Sequence, residues 1–101
     1  MAHSIYQNDQ QYRSWELFIQ DRHRNLSIPT IASGTYQLLD LEGNEVVPLS
    51  SAIVTSPNKV SFLIRPSSGS ATIGEYSEIW SVFIGSEIFT REETLYVKER
   101  F

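Results

Sequence analysis

Hydrophobic and polar residues alternate with a period of two along most of this chain, and the clearest case runs from Gly74 to Val97. Four large apolar residues in this stretch share one parity: Tyr76, Trp80, Val82 and Ile84. Residues of one parity lie on one face of a strand. Gly85-Ser86 interrupts the alternation with a composition that suits a two-residue primed turn, whose first central residue needs a positive φ. The pattern predicts a β-hairpin that closes the fold and carries its aromatic core.

Further extended segments precede this hairpin. They are Tyr12 to Gln20, Leu26 to Ala32 with Pro29 at an edge or bend, Thr35 to Leu41, Val46 to Val54 interrupted at Pro48, and Lys59 to Arg65. A helix competes with the strand at Tyr12 to Gln20, but nothing apolar extends that pattern past Gln20. Turn residues separate the segments, as at Gly43-Asn44.

Six or seven short strands at regular spacing predict an all-β, antiparallel, immunoglobulin-like β-sandwich. The shared parities predict a core formed by Trp15, Leu17, Tyr36, Leu38, Phe62, Tyr76, Trp80 and Val82. The polar residues 1–10 predict a flexible amino-terminal arm with a short strand at Ser4-Ile5-Tyr6, and residues 11–101 a single domain. The chain has 101 residues, of which 41% are hydrophobic and 20% charged, a globular composition.

Charge and composition narrow the classes of function. The formal net charge is −4, which is not the signature of a specific nucleic-acid binder. No apolar run is long enough to span a bilayer, and no secretion signal is visible at Met1. The absence of cysteine removes disulfides, thiolate metal sites and cysteine nucleophiles. We therefore expect no membrane partner and no specific nucleic acid.

Candidate catalytic and metal-binding residues are few. His3 and His23 are the only histidines, so a hydrolase triad would need one of them, and no Gly-x-Ser-x-Gly motif is present. The segment from Asp40 to Glu45 spaces oxygen ligands as a calcium loop does, but it lacks the ligand set of an EF-hand, and a hairpin turn explains it. The sequence thus predicts no catalytic residue, no cofactor and no metal.

Two groups of surface residues suggest binding. Arg22-His23-Arg24 with Arg13 forms either a solvated turn or a small basic patch for an acidic partner or packaged DNA. The second parity of the closing hairpin is apolar and predicts a covered face, with these candidate interface residues: Leu63, Ile79, Phe83 and the carboxy-terminal Phe101.

Glu78 lies on the inward parity of the closing hairpin. A buried unpaired carboxylate costs several kcal/mol, by a rough estimate. We therefore expect Glu78 to lie near a sheet end or bulge, or to pair with an arginine such as Arg65 or Arg91.

The order of these elements resembles the small immunoglobulin-like domains of tailed-bacteriophage virion proteins, especially the amino-terminal domains of upper baseplate proteins. The matching segments are Trp15-Glu-Leu-Phe-Ile-Gln-Asp, Leu26-Ser-Ile-Pro-Thr-Ile-Ala, Tyr36-Gln-Leu-Leu-Asp-Leu-Glu-Gly, Val60-Ser-Phe-Leu-Ile and Gly74-Glu-Tyr-Ser-Glu-Ile-Trp-Ser-Val. They extend over residues 12–97, and the last, a Gly-x-Tyr-x-x-x-Trp-x-Val motif, is the most specific. Two positions depart from the pattern: Asn25 stands where glycine is usual, and Glu78 where a small residue is usual.

The resemblance implies a non-enzymatic structural component of a tailed-phage virion: a neck or head–tail connector, baseplate or decoration subunit. Its partners would be other virion proteins and further copies of itself in a symmetric assembly. It would be made in the bacterial host cytoplasm and reside in the virion. The alternative is a stand-alone β-sandwich binding module for carbohydrate or a receptor, with exposed aromatics beside a polar groove.

Overall fold

The regular structure of this protein is built from β-strands. The computed structural model describes residues 3–6, 11–20, 22–64 and 73–98, with only the backbone described at His3 and Gln11. Nine strands lie in these ranges: β1 (His3–Tyr6), β2 (Gln11–Glu16), β3 (Ile19–Gln20), β4 (Leu26–Ser27), β5 (Ser33–Asp40), β6 (Glu45–Ser56), β7 (Lys59–Ile64), β8 (Gly74–Ile84) and β9 (Glu87–Lys98). The expectation of an all-β protein is confirmed.

Seven strands form one sheet in the order β1-β9-β8-β5-β6-β7-β2, while β3 and β4 form a separate small hairpin. Neighbouring strands of the large sheet are antiparallel except β1, which runs parallel to β9. The sheet is therefore mixed, and a purely antiparallel arrangement is wrong at this edge.

The long strand β6 curls the sheet into two layers. Up to Ala52 it pairs with β5, and from Ile53 onward it pairs with β7. We call β1, β9, β8, β5 and residues 45–52 the front layer, and residues 53–56, β7 and β2 the back layer. The layers face each other, since the ring of Tyr36 in β5 stacks on that of Phe62 in β7 with centroids 4.6 Å apart.

The core fills the space between the layers. Its buried apolar side chains are Ile5, Leu17, Ile31, Tyr36, Leu38, Val60, Ile64, Tyr76, Trp80, Val82, Leu95 and Val97. Six of the eight sequence-predicted core residues are in this set. The other two, Trp15 and Phe62, are half-buried and pack against it. Tyr36 lies near the centre, where its ring also meets the Trp80 ring edge-on at 4.7 Å.

The turn of the closing hairpin is as predicted. Strands β8 and β9 pair from Gly74–Val97 to Ile84–Glu87, and Gly85 has φ +61°.

Gly34 in β5 is a second position that requires glycine, because a side chain would not fit there. A Cβ on Gly34 would lie 2.9 Å from the Val60 side chain of the facing layer, so any larger residue would force the layers apart.

The single strand expected from Tyr12 to Gln20 is wrong. Alternation ends at Leu17, which is buried, whereas Phe18 is 54% and Ile19 38% exposed. The cause is a pair of hydrogen bonds: Leu17 N donates to Asn58 O at 2.8 Å, and Asn58 Nδ2 donates to Leu17 O at 2.9 Å. They hold the chain against the β6–β7 turn, so β3 leaves the sheet and pairs with β4.

The segment after this turn enters the core later than expected. Leu26 and Ile28 are exposed, and Ile31 is the first large apolar residue after them to be buried. The left-handed residue of the turn is Arg24, with φ +64°, rather than Asn25.

The amino-terminal segment contributes to the sheet. Ile5 in β1 is 3% exposed and belongs to the core cluster. The short strand expected at Ser4-Ile5-Tyr6 is present as part of β1, while residues 7–10 of the predicted arm lie outside the described residues, as do Arg65 and Phe101.

Candidate interaction surfaces

A buried ion pair joins the two layers at the centre of the core. Arg13 on β2 donates to both Glu78 oxygens on β8, with Nε to Oε2 at 2.7 Å and Nη2 to Oε1 at 3.0 Å. The Tyr36 hydroxyl donates to the same Oε2 at 2.7 Å. Glu78 is fully buried and the Arg13 side chain is 11% exposed. Such a two-pronged pair fixes geometry as well as charge.

A second ion pair lies beside the first. Glu93 on β9 faces Glu78 across the β8–β9 ladder, and Arg91 donates to Glu93. The Arg91 guanidinium also lies 5.8 Å from the centre of the Trp15 ring, within range of a cation–π interaction. Two buried carboxylates are thus neighbours, and each has its own arginine.

Burial and the Glu78 charge set the protonation states in this network. Burial raises the pKa of Tyr36 far above its usual 10, and the charge of Glu78 and the hydrogen bond to it raise that pKa further. Burial alone would lower the pKa of Arg13, but the hydrogen bond and charge of Glu78 outweigh it and raise that pKa. Tyr36 is therefore a neutral donor and Arg13 a permanent cation.

The buried side chains of this network bind one another. Every buried side-chain nitrogen or oxygen in the described part of the chain has a hydrogen-bond partner. Glu78 pairs with an arginine as expected, but this arginine is Arg13, while Arg91 binds Glu93 and Arg65 lies outside the described residues. The parity of Arg13 with Trp15 was the overlooked signal, since it places a cation on the inward face opposite Glu78.

The basic patch suggested by the sequence does not include Arg13. Arg13 is in the core, while Arg22, His23 and Arg24 are exposed in the β3–β4 turn. No group of three or more histidine or acidic side chains that could hold a metal ion occurs in the described ranges.

In the acidic turn after β5, the Asp40 carboxylate accepts hydrogen bonds from the turn itself. Asp40 accepts hydrogen bonds from Glu42 N at 2.9 Å, Asn44 N at 2.8 Å and Asn44 Nδ2 at 3.2 Å. The Asn44 amide, with smaller contributions from the other donors, lowers the pKa of Asp40. A hairpin turn therefore accounts for the oxygen spacing seen in the sequence.

The candidate interface residues do not form one face. Ile79 and Phe83 are half-buried on the outer face of the front layer, where Phe83 pairs with the exposed Ile88. Leu63 lies opposite Tyr12 on the outer face of the back layer, because Phe62 points inward. The expected single surface is wrong, since β5 and β6 separate β7 from β8.

Exposed apolar residues occur at both ends of the strands, and also along the strands, as at Tyr12, Leu49 and Ile53. The acidic end comprises residues 40–45, 73–75 and 98, with Leu41 71% and Ile73 51% exposed. The hairpin end comprises residues 16–19, 22–32, 57–59 and 84–88, with Phe18, Leu26 and Ile28 more than half exposed. The ends lie apart along a molecule 47 Å long and about 24 Å wide.

A groove opens at the hairpin end. Its volume is about 370 Å³, and its lining is mainly apolar: Trp15, Glu16, Leu17, Phe18, Ile19, Ile84 and Phe89. The groove exists because the hydrogen bonds at Leu17 turn the chain away from the sheet and leave the Phe18 and Ile19 side chains beside the end of β8.

The two ends differ in charge. Among the described residues, the acidic end carries four carboxylates against one lysine, a net −3: Asp40, Glu42, Glu45, Glu75 and Lys98. The hairpin end carries three cations against two carboxylates: Arg22, Arg24, Lys59, Glu16 and Glu87. With Asp21, which the sequence places between Gln20 and Arg22, its charges balance, so one end is acidic and the other is close to neutral.

The chain matches no protein-family model and no curated protein. Within the described ranges there is no helix long and apolar enough to cross a membrane.

Proposed function

We propose that this protein is a non-enzymatic structural subunit of a tailed-bacteriophage virion, in the neck or head–tail connector, the baseplate or a decoration layer. It acts by binding other virion proteins and further copies of itself, after synthesis in the bacterial host cytoplasm. The proposal includes an immunoglobulin-like sandwich as the scaffold.

One observation carries this proposal: the contrast between a sealed core and apolar, accessible ends. The buried ionisable groups, such as Glu78 and Arg13, are fully paired with each other. The exposed apolar side chains at the ends, such as Leu41 and Phe18, suit contacts between proteins. A subunit of an assembly requires a rigid centre and end surfaces that bind other proteins.

The sequence resemblance supports the same class. Its most specific motif, Gly74 to Val82, supplies Tyr76 and Trp80 to the core, which is a scaffold role. The Asp40 turn, another part of the resemblance, is a short rigid hairpin.

A stand-alone binding module is the second candidate. The groove at the hairpin end favours it, because Trp15, Phe18 and Phe89 place three aromatic rings along one depression. Aromatic rings beside polar groups suit the faces of sugar rings or an aromatic peptide side chain. Such a module would work as a monomer.

Deletion of the coding gene tests the proposal. We expect incomplete or unstable particles by electron microscopy, with restoration by the gene supplied in trans. Mass spectrometry of purified wild-type particles should detect this chain at a fixed copy number. Normal infectious particles that lack the chain would overturn the proposal, and a monomer that binds a glycan array would favour the second candidate.

A further inference from the structure

We propose that two copies of this chain bind each other through β9, whose free edge pairs antiparallel with the same edge of a second copy, across a two-fold axis at Thr90. This inference deepens the proposed function by naming the surface through which copies associate, and rests on it for the biological setting. The surface itself follows from the pairing of the strands.

The free edge comprises residues 87–94 of β9. The strand pairs with β8 from Glu87 to Val97, but β1 covers its other side only from Leu95 to Lys98. Beside residues 87–94, no described strand lies on that side. An unpaired edge presents backbone donors and acceptors on which another strand can form a ladder.

The hydrogen bonds of the sheet show which backbone groups point to this edge. Ala32 N donates to Phe83 O at 2.8 Å, so the polar groups of Phe83 point toward β5. The pair Phe83–Ile88 is therefore not hydrogen-bonded, and Ile88 points its N–H and C=O away from β8. The register of β8 and β9 has no shift, so the same holds for Thr90 and Glu92. Within the described part of the chain, no strand pairs with these groups.

The back layer leaves the edge accessible. Its last strand, β2, lies over β8, because Arg13 binds Glu78 there. Strand β9 therefore extends one strand beyond the back layer. Trp15 reaches it at Arg91, whose side chain lies on the inner face together with that of Glu93. A second copy can approach in the plane of the front layer.

The other free edge of the front layer is protected against such pairing. Residues 45–52 of β6 have β5 on one side and no described strand on the other. Pro48 interrupts this edge, the register against β5 shifts, and the Glu45 carboxylate accepts a hydrogen bond from Leu49 N at 3.3 Å. Proline and bulges are the devices by which natural sheets prevent edge pairing. Strand β9 has neither.

A second copy is the occupant because the edge is its own complement. Facing residues of a joint sheet lie on one face, so the two-fold axis passes through a residue position. An axis at Thr90 pairs Thr90 with itself and Ile88 with Glu92, and it satisfies the edge groups of all three residues in both copies. Axes at Arg91 or Glu92 place two like charges directly opposite each other. Axes nearer to the turn shorten the ladder.

The inner side of the dimer accommodates the remaining residues. Phe89 faces Arg91 of the second copy, and this pairing places a guanidinium beside an aromatic ring. Glu87 faces Glu93, whose carboxylate already binds Arg91. Glu87 is exposed at the end of the ladder, so its side chain can remain in solvent.

Sedimentation velocity over a wide range of protein concentration provides the first test. We expect the wild type to dimerise and Thr90→Pro to bind at least about tenfold more weakly, because proline removes a donor that only the dimer uses. Thr90→Lys, which places two cations at the axis, should have a similar effect. Ser51→Lys is the matched control, because Ser51 is exposed on the protected edge. Circular dichroism establishes that the variants are folded. A wild type that stays monomeric, or equal effects of Thr90→Lys and Ser51→Lys, would overturn the proposal.

Disulfide formation tests the register. The chain has no cysteine, so a single introduced cysteine can link only two copies. Thr90→Cys should form a linked dimer on oxidation, because directly opposite residues lie about 4.5–5.5 Å apart between their Cα atoms, within disulfide range. Ile88→Cys and Glu92→Cys should each remain unlinked alone, since like positions are then about 13 Å apart, and should link when mixed. Equal linking of all three variants alone contradicts the pairing, as does a wild-type dimer that Thr90→Cys fails to link.

The two proposals fail in different experiments. Dimers through β9 from a chain that is absent from virions would overturn the virion role and leave the interface standing. A strictly monomeric chain that is nevertheless present in particles would overturn the interface and leave the virion role to contacts with other proteins.

Discussion

The centre of the molecule and its hairpin end contain the same kinds of residues in opposite circumstances. In the centre, the Arg13 side chain is 11% exposed and is bound to Glu78 by two hydrogen bonds. At the hairpin end, Arg22 and Arg24 are exposed beside the equally exposed Leu26. A buried charge that is paired fixes how layers fit together, whereas exposed charge and apolar surface remain available to a partner. Stability should therefore depend on the centre, and association on exposed surface.

Trp80→Ala should produce the largest loss of stability. The side chain is 1% exposed and lies edge-on to Tyr36 between the layers. Truncation of a buried aromatic residue leaves a cavity, and we expect the free energy of unfolding to fall by about 3–5 kcal/mol. Urea denaturation followed by circular dichroism measures this change. An unchanged midpoint would contradict the central position of this residue.

Arg13→Ala should lower the free energy of unfolding by about 3 kcal/mol, because it leaves the buried Glu78 carboxylate without its cation and with the hydrogen bond from the Tyr36 hydroxyl. Arg22→Ala is the matched control from the hairpin end and should change stability by no more than about 0.5 kcal/mol. Chemical denaturation of both variants at one pH provides the comparison. If they lose equal stability, the distinction between centre and end is wrong.

A triple replacement sharpens this result. Arg13→Met, Glu78→Leu and Tyr36→Phe together remove both charges and the hydroxyl that would lose its acceptor, and they keep apolar volume. We expect it to recover most of the stability lost in Arg13→Ala, since a buried pair that is replaced whole is often neutral. Failure to recover would show that the pair contributes more than its charge balance.

Tyr36→Phe should lower stability near neutral pH by about 1.5–2 kcal/mol, as for the loss of a hydrogen bond to a charged acceptor. The variant should also change the response to alkali. The pKa of Tyr36 is raised on folding, so its contribution is complete below pH 10 and is lost as pH rises above that value. Denaturation between pH 9 and about pH 11 should show a shallower fall for the variant than for the wild type. Parallel curves would mean that Tyr36 is not the group that titrates.

The sequence predicted the centre of the fold better than its ends. The β8–β9 hairpin followed from alternation and from Gly85, because both signals are local. Pairing of β1 beside β9, and of Arg13 with Glu78, depends on contacts 65 or more residues apart in the chain. No local pattern specifies such contacts.

The hairpin end was less predictable for a related reason. Alternation from Trp15 through Leu17 to Ile19 indicated a continuous strand, yet Asn58 bonds to Leu17 and diverts the chain. An asparagine in a distant turn thus decided where β2 ends. The groove, and with it the candidate binding surface, is a product of that diversion.

Arg24→Gly should have the smallest effect and the opposite sign. Arg24 adopts φ +64°, a left-handed conformation that costs a residue with a Cβ roughly 1–2 kcal/mol. Glycine relieves this strain but adds freedom to the unfolded chain, so we expect a net gain of about 0.5–1 kcal/mol. Arg22→Gly is the control, because it removes the same charge at a residue whose φ is not positive. It should be neutral or slightly destabilising when both variants are denatured at a concentration where the wild type is monomeric. If both variants gain equally, relief of charge repulsion in the turn explains the gain, and backbone strain at Arg24 does not.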